Sequence, residues 1–191
     1  MTMEAAALGS RFLLAFVLIL ASIPKLAAQQ EFARAVENYG LVPRFLVRPF
    51  SRTLPAFELL AGSALLAGVA IAAVSVAVTG MLLIFATAIT WNLLHGRKIE
   101  CGCAGSALPR VISWHLVARD LFLAAVAVFV ALAAFAGIAG SFLSPPEGVA
   151  AGDAVAVLLI AALLVFSDAL IADGFRAASA SHAFSNRTGS T

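Results

Sequence analysis

"LPAFELLAGSALLAGVAIAAVSVAVTGMLLIFATAITWNLLHG", Leu54 to Gly96, decides the fold. It is apolar for far longer than one membrane crossing and carries a single acidic or basic side chain other than histidine, Glu58. The hydrocarbon core of a bilayer is about 30 Å thick, and a helix crosses it in about 20 residues. The stretch therefore predicts two helices folded back in a tight hairpin, turning near Ala72 to Val76. Helices are expected because backbone groups in lipid must pair within their own segment.

Further apolar runs flank this hairpin. Leu8 to Ala28 is a span with Arg11 and Lys25 near its ends. Glu4 before it, and Lys25 where cleavage would fall, favour a retained anchor over a removed secretory signal. Trp114 to Gly137 is another span, and Ala154 to Ile171 a shorter one. Composition agrees, with 62% hydrophobic and 12% charged residues against about 45–50% and about 25% in soluble domains. The expected fold is all-α, a polytopic transmembrane bundle of about five spans, a four-helix core plus a fifth helix. The membrane domain should cover residues 1–172, with 173–191 a small, polar, disordered tail. Asn186-Arg187-Thr188 in that tail matches a glycosylation sequon by chance. The net charge of +2 gives no reason to expect a nucleic-acid partner.

The connections differ in charge. Ala28 to Thr53 is long and basic, with Arg34, Arg44, Arg48 and Arg52. In it, "EFARAVENYGLVP" places Phe32, Val36 and Tyr39 on one helical face, suited to lying on a membrane surface, until Pro43 ends the pattern. The loop after the hairpin is also basic, whereas the segment "GIAGSFLSPPEGVAAGD" (137–153) carries only Glu147 and Asp153. The positive-inside rule therefore places the first connection, the second loop and the tail in the cytoplasm, with the protein in the cell membrane. Whatever the orientation, Lys25, Glu58, Trp91, Asn92, His95, His115, Arg119, Asp120 and Asp168 gather at the same end of the bundle. Lys25 and Glu58 should be neighbours, because each is costly alone in lipid. Snorkelling anchors and an interfacial aromatic belt are the structural alternative.

That basic loop holds both cysteines, Cys101 and Cys103, around Gly102. A disulfide needs Cα atoms about 4.4–6.8 Å apart, which residues i and i+2 reach if the glycine bends the chain. So small a ring would be strained, hence labile, and the loop it closes is too short for much entropic stabilisation. Arg97, Lys98 and Arg110 favour the thiolate, and His95 and His115 flank the loop as possible proton carriers. His115 and Arg119 share a helix face. A competing set, Cys101, Cys103, His95 and His115, has the soft sulfur and imidazole donors of a Zn(II) or Cu(I) site. The Cys-x-Cys spacing is shorter than usual for zinc. No cofactor motif is evident, and quinone and metal both stay open.

In order along the chain, "SIPKL" (22–26), "EFARAVENYGLVP" (31–43), "LPAFELLAGSALL" (54–66), "ECGCAG" (100–105) and "ISWHLVARDLFLA" (112–124) resemble the MauE family of membrane proteins, related to the DoxX group. The resemblance runs from about Arg11 to Ala124. It departs at Ala104, where the family often has an aromatic residue. It implies site positions Lys25, Glu58, Cys101, Gly102, Cys103 and Gly105. It also implies a role in maturing, processing or exporting the disulfide-rich small subunit of methylamine dehydrogenase, with a thioredoxin-like protein or thiol-bearing client as partner. Three functions follow as expectations: a membrane thiol–disulfide oxidoreductase component, a metal-delivery protein, or a non-catalytic scaffold or transporter built on the Lys25–Glu58 interior. Export of disulfides would place the thiols outside, against the charge bias.

Overall fold

The computed structural model describes residues 3–97, 99 and 112–138, and every regular element among them is an α-helix. They are α1 (Met3–Ala27), α2 (Gln29–Tyr39), α3 (Arg44–Ala67), α4 (Ile71–Leu94) and α5 (Trp114–Phe135). The expected helix at 154–171, the polar tail, and Lys98, Cys101, Gly102, Cys103, Ala104, Gly105 and Arg110 lie outside the described residues.

Three of these helices, α1, α4 and α5, are long and apolar enough to cross a membrane. Helix α3 also has membrane-spanning length, at 24 residues, but its first half carries Arg44, Arg48 and Arg52. The bundle is paired: α1 packs chiefly on α3, α4 on α5, and α1–α5 and α3–α4 contacts join the pairs. Its core is Leu14, Leu18, Leu65, Val78, Leu123 and Val130 with their neighbours.

Two expected boundaries are corrected. The hairpin turns at 68–70, earlier than Ala72 to Val76. Gly68 caps α3 in the left-handed conformation (φ 74°), which glycine adopts without a Cβ clash. Ala70 follows at φ 48°, a conformation uncommon for a residue with a side chain. The connection from Ala28 to Thr53 is likewise mostly helical. Helix α2 ends at Tyr39 with Gly40 as its left-handed C-cap, three residues before Pro43, and Pro43 is instead the N-cap of α3, which begins at Arg44. Its buried face, Val47, Ser51, Leu54, Glu58, Ala61 and Leu65, recurs every three or four residues through the basic half. Arg44, Arg48 and Arg52, four apart, take the exposed face. Helix α2 has the expected buried face of Phe32, Ala35 and Val36 with charges opposite.

Gly62 sets the closeness of α1 and α3. A Cβ there would come within 2.8 Å of Ile19 Cγ1 and 2.9 Å of the Ala15 carbonyl. Only glycine permits that approach, the small-residue packing by which membrane helices associate.

Candidate functional site

The polar interior lies where α1, α3 and α5 meet. On α1, Pro24 lacks the N–H that would bond the Leu20 carbonyl, and Lys25 follows it. The Lys25 ammonium donates to both carboxylate oxygens of Glu58 on α3, at 2.5 Å to Oε1 and 2.7 Å to Oε2. Both residues are almost wholly buried, 4% and 2% exposed. The Nζ also stands over the rings of Phe32 and Phe85, 5.5 and 5.9 Å from their centroids.

A second pair faces the same space. Arg119 donates to Asp120 Oδ1 through Nη2 at 2.9 Å and Nε at 3.2 Å. Asp120 is buried and Arg119 half-buried. Lys25, Glu58, Arg119 and Asp120 all line one small cavity of about 50 Å³, closed by apolar side chains such as Met81 and Leu123. The four charges balance in sign, which is how ionisable groups become tolerable inside a bundle. The pairing of Lys25 with Glu58 follows from their sequence. Asp120 completes the cluster; the signal was an acid beside Arg119 in an otherwise apolar helix.

The end of the bundle nearest the cysteine loop is tied together by α2. Asn92, fully buried on α4, donates to Ala88 O at 3.0 Å and to Tyr39 O at 3.4 Å. Gly40 caps α2 with φ 66°, and a Cβ there would meet Arg97 Nη1 at 3.0 Å. Burial, then the charge of Asp120, hold the Tyr39 phenol well above its ordinary pKa, with Arg119 pulling weakly the other way. Tyr39 also packs, with Ile99, on the cluster of Ile89, Ile112 and Leu116. The Ile112 N–H donates to Ile99 O at 3.0 Å, so the segment carrying both cysteines leaves and returns at one point beside Tyr39.

The two histidines that flank the cysteine loop are both exposed. His95, at the end of α4, is exposed, with Nδ1 2.7 Å from Trp91 O and its ring 4.5 Å from the indole. His115 is exposed on the first turn of α5. Among the described residues no three His, Cys, Asp or Glu side chains form a metal-binding group; the alternative set with Cys101 and Cys103 extends beyond them.

A helical bundle with spanning helices, a buried double ion pair at one end and a loop whose two ends meet beside it defines a polytopic membrane protein. The chain belongs to the MauE family: the profile described as "Methylamine utilisation protein MauE" matches residues 3–135. Methylamine utilization protein MauE of Paracoccus denitrificans is 31% identical over 156 residues, covering 81% of this chain and 84% of the relative. That of Methylophilus methylotrophus is 37% identical over 128 residues, 65% and 67% of the two chains. That of Methylorubrum extorquens is 36% identical over 120 residues, 61% and 64%. No solved structure matches the chain.

Proposed function

We propose that the chain is a thiol–disulfide exchange component of the membrane that helps another protein of methylamine utilisation to mature, with Cys101 and Cys103 as the exchanging pair. One observation carries this reading. The residues at the two ends of the cysteine loop, Ile99 and Ile112, are hydrogen-bonded to each other and pack beside Tyr39, at the end of the bundle that holds the charged interior. A short, basic loop joined at its base is a means of presenting two thiols to a partner. The relatives' names supply the pathway.

In the exchange, a thiolate of the pair attacks one sulfur of a partner disulfide. The partner's S–S bond breaks, a mixed disulfide forms, and the departing partner thiolate takes a proton. The second cysteine, deprotonated in turn, attacks the mixed disulfide and releases the partner as a dithiol. Two electrons pass to the partner, and Cys101–Cys103 is left oxidised; the reverse sequence oxidises the partner. Gly102 supplies the bend, and Arg97, Lys98 and Arg110 supply thiolate character. The charge bias assigns the loop to the cytoplasmic side, where a thioredoxin-like protein is a suitable partner.

Single serine variants test this reading. The variant that keeps the attacking thiol should accumulate a partner adduct on non-reducing gels, and Cys101, nearer Arg97 and Lys98, is expected to be that thiol. Absence of adduct from both variants, with full function in each, would refute it.

A further inference from the structure

We infer that the cavity between α2, α3 and α4 beside Lys25 binds a membrane-soluble molecule bearing a flat ring with a neutral carbonyl or phenol oxygen. The cavity has a volume of about 140 Å³ and is walled by Phe32, Val36, Tyr39, Phe50, Phe85 and Ile89, with Lys25 at one end. A dry cavity of about 150 Å³ lined by Leu, Ile and Phe accommodates benzene, so this one has room for a single six-membered ring. Four of its walls are aromatic side chains, whose faces and edges suit a planar guest. Water would find few polar partners there.

The polar end selects the oxygen. An ammonium has three hydrogens, and Glu58 takes two contacts from Lys25. No other described residue accepts from Nζ, and the Phe32 and Phe85 rings beneath it are cavity walls, so the remaining hydrogen is available to a guest. An anionic guest is disfavoured, because Glu58 already holds its charge against the same nitrogen. A neutral carbonyl or phenol oxygen meets no such repulsion. Tyr39, kept protonated by burial and by Asp120, also lines the wall and adds no negative charge to it.

The cavity adjoins the outer surface of the bundle along α4. Leu41, Ile84 and Ala88 border both it and an open apolar groove that runs along α4 to Trp91. Leu41, Ile84 and Trp91 are exposed on the surface of the bundle, and α4 is one of the spanning helices. A ring seated against Lys25 can therefore trail an alkyl tail outward along α4. The site stands whether or not the cysteines exchange.

The test uses the full chain in phosphatidylcholine nanodiscs, labelled with a photoreactive decyl-benzoquinone and mapped by mass spectrometry. Labels are expected on Tyr39, Phe85 and Ile89. Unlabelled decyl-benzoquinone should compete about tenfold better than decylbenzene, the worth of one hydrogen bond, and decanoate should compete no better than decylbenzene. Ala88→Phe, which places a ring at the junction of cavity and groove, should abolish most labelling, because the added side chain takes the volume of the guest. The paired change Lys25→Met with Glu58→Gln should leave the cavity labelled but make decyl-benzoquinone and decylbenzene equal competitors. The assignment is overturned by labels spread along the outer faces of α4 and α5. It is equally overturned if decylbenzene or decanoate competes as well as the quinone in the wild type, or if a folded Ala88→Phe protein labels normally.

Discussion

Lys25 and Glu58 are each nearly enclosed, and each is the other's main source of charge compensation. Removing one member of a buried ion pair costs about 3–5 kcal/mol, chiefly because the remaining charge is stranded. Lys25→Met should therefore lower the thermal midpoint more than Lys25→Met combined with Glu58→Gln, and a strictly additive double variant would show the two to be uncoupled. Tyr39 offers a second test, because it is the chain's one tyrosine and its phenolate absorbance reports on it alone. Its pKa is raised by burial first and Asp120 second. The phenolate should appear well above the ordinary value of about 10, and Asp120→Asn should bring it part of the way back. A folded-state pKa above the unfolded one leaves full stability below the ordinary tyrosine pKa and erodes it as pH rises beyond. At this scale the ion pair was legible in the sequence, since two isolated charges in apolar helices have little choice of partner. The aromatic cavity was not, because Phe32, Phe50 and Phe85 come from three different helices and converge only on folding.

Helices α1 and α3 touch at Gly62, where a Cβ would press on Ile19 and the Ala15 carbonyl. Gly62→Ala is expected to destabilise by about 1–3 kcal/mol, the usual cost of overpacking. Gly80→Ala on α4, where a Cβ meets nothing within 4 Å, should be neutral or slightly stabilising. Equal midpoints for the two variants would mean that the close α1–α3 contact is not a constraint. The apolar runs of α1, α4 and α5 announce those helices plainly, through length and mean hydropathy. The beginning of α3 was hidden by chemistry that usually marks a loop, with Pro43, Pro49 and three arginines in succession. Spacing resolves it: the arginines stand four apart on the exposed face while Val47, Ser51 and Leu54 stay buried. The misplaced hairpin turn has a similar origin. An Ala- and Val-rich run has no strong breaker, and the one glycine that mattered, Gly68, lies four residues before the expected turn.

The molecule places its two buried ion pairs, its aromatic cavity and the base of its cysteine loop at one end of the bundle, while the buried Arg11 lies nearer the start of α1. The excess of Lys and Arg in the connections at that end predicts that a reporter fused at Gly105 is active in the cytoplasm. Activity outside would reverse the orientation while leaving the clustering intact. The redox account stands on Cys101 and Cys103 acting as one pair, and their oxidation state in the working membrane tests it most directly. Thiols are blocked in intact cells, the protein is then reduced and labelled with a second alkylating reagent, and mass spectrometry counts the labels on each molecule. The account predicts two populations, both cysteines reduced or both oxidised, whose ratio shifts when the cells' thiol balance is changed. Gly102→Val should deplete the doubly oxidised form while both thiols remain open to alkylation. Cysteines that stay reduced under every condition supporting function, or a double serine variant that works normally, would contradict it.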